Sequence, residues 1–301
     1  MFMLTYFKLI LTAIFWGGTF IAGRVVAKDV LPFSASFLRF AIASVFLVLI
    51  TWRVEGKLPR IERSLILPIF LLGLTGVFAY NVFFFKGLQS IDAGRAALII
   101  ALNPVMISFF SSILFKEELT PIKIIGILLS VIGAMTVISR GNPLHLFQGH
   151  LGWGELNIFG CVLSWVSFSL IGKSVLGKIS PLVSICYSSL AGTATLMIPA
   201  LLEGLWSFLP AYSSTSWLGL FYLGFFGTVL GFVWYYEGIK KIGPTKAGLF
   251  INVVPLSAVV LAFFLLNEPL TLSLLIGAVL VSTGIYLTNM GFGKLSVQGN
   301  H

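Results

Sequence analysis

Charge is scarce in this chain of 301 residues, with Asp, Glu, Lys and Arg together at 10%. A soluble domain carries roughly 25%, and a surface so poor in charge would not stay in water. Cysteine is nearly missing. The two present, Cys161 and Cys186, fall inside apolar stretches. They match no metal-ligand spacing and argue against a disulfide framework, so both read as packing residues. Histidine numbers three. His145 and His150 share a polar loop, but no carboxylate or cysteine beside them completes a metal site. No Asp or Glu stands in the middle of any long apolar run.

What is abundant is hydrophobic sequence: 58% of residues, a mean hydropathy of +1.03 and 28 phenylalanines. Lipid is therefore the solvent. A membrane crossing needs about 20 mainly apolar residues. Ten such runs are predicted, at 5–23, 33–52, 65–85, 94–115, 121–139, 153–172, 181–202, 216–236, 246–266 and 271–290. They must be helices, because in lipid every backbone polar group needs a partner within its own segment. A β-barrel would alternate polar and apolar residues, and these runs do not.

The net charge of +9 sits in short loops between runs, which is a membrane-topology pattern; no soluble domain is left to bind nucleic acid. With the N-terminus inside, 13 of the 19 Lys and Arg fall on the inner side and 5 on the outer, with Arg39 inside a run. Both termini are accordingly expected in the cytoplasm of a cell inner (plasma) membrane. Met1 to Ala22 has the basic-then-apolar look of a signal peptide. Its counterpart later in the chain has no reason to be removed, so it is expected to stay.

That counterpart belongs to an internal repeat. From Gly73 to Gly133 the chain reads against Gly224 to Gly284 at a constant, ungapped offset of 151 residues. Gly76 meets Gly227, Gly87 meets Gly238, Pro104 meets Pro255 and Glu117 meets Glu268. An offset of 149 joins Trp16 to Trp165, Gly23 to Gly172 and Pro32 to Pro181. The expected organisation is a first five-helix repeat at 1–140, an external linker at 141–152, a second repeat at 153–290 and a cytoplasmic tail at 291–301. Five crossings per half force opposite orientations. The fold class is thus an all-α membrane protein, with ten transmembrane helices as two inverted five-helix repeats around a central cavity, a pattern typical of secondary transporters.

The motifs sharpen this. Ala93-Gly94-Arg95-Ala96-Ala97-Leu98 runs through Asn103-Pro104 to Glu117-Glu118-Leu119-Thr120. It recurs as Thr245-Lys246-Ala247-Gly248-Leu249 through Pro255 to Asn267-Glu268-Pro269-Leu270-Thr271. Trp16-Gly17-Gly18-Thr19-Phe20 stands in the first run. With these features the chain resembles the drug/metabolite transporter superfamily, specifically its ten-helix EamA-type exporters, in both halves. The resemblance implies a cavity lined mainly by helices 1, 3, 4, 6, 8 and 9, and outward movement of amino acids, other metabolites or drugs.

Several residues are candidates for the chemistry. Pro104 and Pro255 lie near the middle of the fourth and ninth runs, where each removes a helix hydrogen bond and frees the carbonyl four residues back. As hinges they would mark a transporter site; as plain kinks they would only pack. Asn103 and Asn252 are amides at the same depth, able to hold both ends of a zwitterion or to bond between helices. Trp16 and Trp165 are matched and away from the interfacial belt. Tyr80, Asn81 and Trp234 add aromatic and polar surface for an organic solute, or for packing. Arg39 would capture a carboxylate, or reach outward to lipid phosphate. Glu117 and Glu268 close the fourth and ninth runs and read as caps or gate anchors. Gly126, Gly133, Gly277 and Gly284 suit close helix packing.

The lack of a mid-run carboxylate gives direct proton coupling no support, leaving facilitated diffusion or exchange at least equal to it. A membrane enzyme would need a polar catalytic cluster, and none is recognisable. A structural membrane protein would leave the matched prolines unexplained. The partners are a small-molecule substrate and the bilayer, with no cofactor and no metal, in a monomer or homodimer. Small zwitterions suit this inventory best. A nucleotide-linked metabolite or a lipophilic drug is the alternative.

Overall fold

The computed structural model describes residues 2–116, 119–142, 152–175 and 177–290, and among these it is helical throughout the apolar runs. Helix α1 is Phe2–Val26 and α2 is Pro32–Glu55. The third run starts as α3 (Arg63–Leu72), widens into a π-helix at Gly73–Ala79, and resumes as α4 (Tyr80–Leu88). The fourth is broken into α5 (Ala93–Ile100) and α6 (Asn103–Phe115), and α7 (Pro121–Ile138) follows. Next come α8 (Trp153–Val175) and α9 (Pro181–Leu202). A short α10 (Leu205–Phe208) leads into α11 (Ser214–Phe221), a second π-helix at Tyr222–Leu230, and α12 (Gly231–Ile242). The chain ends in α13 (Pro244–Ile251), α14 (Val253–Leu266) and α15 (Leu272–Met290).

Nine helices among the described residues are long and apolar enough to cross a bilayer, and Leu272–Thr288 is a shorter apolar helix. Their starts follow local chemistry. Pro32, Pro121 and Pro181 occupy first-turn positions, where a missing N–H costs nothing. The hydroxyls of Thr120, Ser180 and Ser213 accept backbone N–H bonds from the first turns of α7, α9 and α11. Leu202, Phe264 and Leu272 stand outward and exposed, and apolar exposure on this scale matches a lipid surface.

Two findings amend the sequence reading of continuous α-helices. The third and eighth runs carry π-helical segments, and α10 was not anticipated. The fourth and ninth runs break where Pro104 and Pro255 predict. The chain turns at Ala101–Leu102 and at Asn252, each three residues or fewer before the proline.

The most extensive helix packing is between α7 and α15. A side chain at Gly126 would meet the Gly284 carbonyl oxygen at 2.6 Å, and one at Gly277 would meet the Gly133 carbonyl oxygen at 2.9 Å. The backbones therefore touch directly. In α1, Gly17 leaves room for Ser257 and Ala258 of α14, and Gly18 for the Tyr222 hydroxyl. That accounts for the paired glycines after Trp16. The main buried cluster, including Phe20, Phe84, Phe85, Cys161 and Val166, lies where α1, α4, α5 and α8 meet. Both cysteines are free and buried.

Candidate functional site

A row of aromatic rings crosses the interior between the two π-helical segments. Trp16 of α1 lies 5.3 Å from Tyr235 and 5.7 Å from Phe232, both of α12. Phe232 stacks on Trp165 of α8 at 6.4 Å, and Trp165 lies 5.4 Å from Tyr80 of α4. Tyr80 stacks on Phe84 at 6.0 Å, and Phe84 meets Phe20 of α1 at 5.5 Å. Trp16, Tyr80 and Trp165 are half-buried. They were expected from the sequence, and Phe232 completes them. Phe232 stands 151 residues after Asn81, so the repeat pointed at its position although its residue type differs.

The π-helical segments hold this row in place. A π-turn offers carbonyls that ordinary helix bonds do not consume, and such turns recur at functional sites. The Trp16 indole N–H donates to the Gly227 carbonyl at 3.0 Å. The Asn81 amide donates to the Gly76 carbonyl at 3.3 Å and to that of Val77 at 2.8 Å. Gly76 and Gly227 are the pair matched in the sequence. The Thr228 hydroxyl donates to the Leu223 carbonyl at 2.9 Å.

Arg39 joins the two segments. It is 8% exposed, and its Nη1 donates to Asn81 Oδ1 at 2.8 Å. Its Nη2 donates to Thr228 Oγ1 at 3.3 Å, while Nε has no partner. Its guanidinium carbon lies 5.3 Å from the Phe40 ring and 6.0 Å from that of Phe84. Both ion pairs formed among the described residues, Lys8 with Glu237 and Arg95 with Glu155, leave Arg39 out.

The remaining candidates lie apart from this centre. Asn103 is buried at the break between α5 and α6, and its Oδ1 has no partner. Asn252 occupies the matching turn before α14 and is half-buried. Trp234 does not join the row. Its ring lies 5.8 Å from Phe15 and under the Lys8 ammonium at 5.6 Å, near the Lys8–Glu237 ion pair of 2.8 Å. Glu268 caps α5, its carboxylate accepting from the Ala93 N–H at 2.8 Å and the Gly94 N–H at 3.0 Å. Glu117, His145 and His150 lie outside the described residues.

Carboxylates fasten one end of the bundle. Besides Glu268, Glu203 accepts from the Phe33 and Ser34 N–H groups that open α2, at 3.1 and 2.8 Å. The Arg95 guanidinium reaches Glu155 at 3.1 Å and also bonds the Ile138 carbonyl. Asp29 accepts from the Ser216 hydroxyl at 2.6 Å and from Ser213. Those bonds, Ser216 first, hold the Asp29 carboxyl below its usual range. Each is an anion at a helix start, where it complements the positive end of the helix dipole, and Glu268, Glu203 and Asp29 also accept backbone N–H groups there. No group of three His, Cys, Asp or Glu side chains gathers for a metal among the described residues.

Comparison with known proteins places this arrangement. A crystal structure of a protein 20% identical in sequence superposes with a TM-score of 0.66, covering 94% of this chain and 97% of that one, which fixes the likeness of fold. "Uncharacterized transporter YyaM" of Bacillus subtilis is 29% identical over 280 residues, 93% of this chain and 92% of its own. A "Probable terminal-alkyne amino-acid exporter" of Streptantibioticus cattleyicolor is 29% identical over 283 residues, with 93% and 92% covered. The model of the EamA-like transporter family matches twice, at residues 3–139 and 152–290. Matched over nearly its whole length, the chain belongs to the EamA-like transporter family.

Proposed function

We propose that this chain is a secondary transporter that exports small organic metabolites, foremost amino acids or related zwitterions, by alternating access. The observation that carries this reading is the aromatic row from Tyr235 through Trp16, Phe232 and Trp165 to Tyr80, with Arg39 beside it. It offers apolar faces and one cation to a solute at mid-membrane depth, and buried polar groups at that depth mark substrate paths. Trp16, Tyr80, Asn81, Asn103, Trp165 and Asn252 are the binding residues in this reading, and Trp234 serves a route toward the Lys8 end. A nucleotide-linked solute would call for several buried cations, and among the described residues Arg39 is the one beside the aromatic row. The family name and the exporter among the relatives support the same direction.

Ten crossings in two inverted repeats, 1–140 and 153–290, with both termini cytoplasmic, form the scaffold of this proposal. Features recurring at the sequence offset support it. The π-helical segments end at Ala79 and Leu230, and left-handed backbone ends α6 at Lys116 and α14 at Asn267, with φ of 55° and 54°. Ser44 and Thr193, partners at the 149 offset, share a hydrogen bond of 3.2 Å between α2 and α9. Gly126 against Gly284 and Gly133 against Gly277 are the contacts a two-fold axis would give. Broken helices α5–α6 and α13–α14 are then hinges at Pro104 and Pro255, able to tilt one half-helix while the other stays packed.

The test is a comparison of metabolites released by cells that express the chain and by cells that express a Trp16→Ala, Trp165→Ala double variant at equal membrane levels. Specific release of amino acids or kindred zwitterions by the native chain alone supports the reading. Identical release profiles contradict it.

A further inference from the structure

We propose that Arg39 binds a carboxylate of the transported solute, and that this carboxylate is the obligatory recognition group while the amine is dispensable. The inference rests on the transport reading above and deepens it.

The guanidinium of Arg39 is nine-tenths buried, and its described hydrogen-bond partners, Asn81 and Thr228, are both neutral. A charge removed from water without a counter-charge is costly, and buried guanidinium groups are ordinarily paired. The unmet capacity is confined to one edge. Nε has no acceptor, and Nη2, on the same edge of the planar fork, is held only by the 3.3 Å bond to Thr228. Nη1, on the far side, keeps the shorter 2.8 Å bond to Asn81. Two parallel N–H groups with one free and one weakly held are the geometry that a carboxylate takes with two bonds. Phosphate would fit the same fork, but its second negative charge would meet no second cation in the described contacts.

The same contacts say what binding does. Asn81 and Thr228 are anchored to the π-helical carbonyls of opposite halves, Gly76 and Val77 on one side and Leu223 on the other. Arg39 therefore ties the halves together through Thr228. A carboxylate on Nε and Nη2 displaces the Thr228 hydroxyl and releases that tie, so occupancy itself loosens one link between the halves. Among the described residues nothing comparable awaits an ammonium. No Asp or Glu lies mid-span in the sequence. The solute's amine meets only aromatic faces and amides, so its removal or acylation is tolerated.

The experiment measures ligand-induced thermal stabilisation of the full-length protein in detergent, because a ligand that binds the folded state raises its melting temperature. The probes are phenylalanine, N-acetylphenylalanine, phenylpyruvate, phenylalaninamide and phenethylamine. The first three are expected to stabilise the native protein and the last two not to. Arg39→Lys keeps the charge but loses the fork, and Arg39→Gln loses both. Each is expected to weaken carboxylate binding by about tenfold or more. Thr228→Val removes the competing hydroxyl and is expected to tighten binding, a gain that a purely structural role for Arg39 would not give. If the Arg39 variants fail to fold, the probe series on the native protein and Thr228→Val decide the matter. Equal stabilisation by phenylalaninamide, retained binding in Arg39→Gln, or no response to any carboxylate overturns the inference. If the native chain still releases metabolites in the cellular comparison, the transport reading survives that failure; if it releases none, that reading is itself overturned.

Discussion

Gly126 and Gly284 face each other backbone to backbone: a side chain on either would come within 2.6 Å of the other's carbonyl oxygen. The α7–α15 contact has no slack, since both neighbours are main chain and cannot rotate away. Gly126→Val and Gly284→Val are each expected to destabilise the protein by about 1–3 kcal/mol, the usual range for overpacking. Gly248, on α13, has open space where a side chain would go. Gly248→Ala should stabilise by about 1 kcal/mol through helix propensity alone. Denaturation in a fixed detergent distinguishes the three. Destabilisation by Gly248→Ala equal to that by Gly284→Val would show that the packing argument misplaces the strain.

Phe232 joins Trp16 to Trp165, at 5.7 and 6.4 Å. Phe232→Ala should lower solute affinity by about tenfold, near the upper end of what an aromatic contact contributes, while insertion and expression persist. Phe264→Ala, on the exposed face of α14, should leave affinity unchanged. Equilibrium binding to the purified variants provides the readout, and equal losses in both would remove the aromatic row from the site.

Asp29 gives a pH signature. Its carboxyl is held below its usual range in the folded state by Ser216 and Ser213. A depressed pKa adds stability above the unfolded-state pKa of about 4, and that stability fades as pH falls through the folded value. Asp29→Asn should therefore be less stable than the native chain at neutral pH, with the gap closing below about pH 4. A gap of constant size across a pH series of melting curves would mean that the charge is not what matters.

Much of this was legible in the chain. Pro104 and Pro255 announced breaks that appear as turns at Ala101–Leu102 and Asn252, because proline's missing N–H acts locally whatever surrounds it. Trp16 and Trp165 were found by position in the repeat and Tyr80 by residue type, and the three lie in one row. The π-helical segments were not legible, since π- and α-turns are built from the same apolar residues and differ only in hydrogen-bond partner. The direction Trp234 takes was not legible for a similar reason. Adjacent residues on a helix point in different directions, so Tyr235 reaches Trp16 while Trp234 turns to Phe15 and Lys8. The tie from Arg39 to Thr228 spans 189 positions, and no local pattern encodes a contact at that distance.

On the basic-residue count, we propose that both termini lie in the cytoplasm and the linker outside. A single cysteine introduced at Gly149, in a chain with Cys161 and Cys186 replaced by serine, should react with an impermeant maleimide on intact cells. One introduced at Gly299 should react only after the cells are opened. Labelling of Gly299→Cys from outside would invert the topology.

Pro104 and Pro255 bring the account to its most direct test. Hinges that alternate access bind solute on one side before releasing it on the other, so flux must saturate and must accelerate when solute waits on the far side. The decisive measurement is counterflow into proteoliposomes, across a range of outside concentrations, using the metabolite that cells expressing the chain release. The account predicts saturable uptake stimulated by solute preloaded inside, with Pro104→Ala and Pro255→Ala slowing turnover several-fold while leaving equilibrium binding nearly intact. Flux that rises linearly without limit and ignores the preload would contradict it.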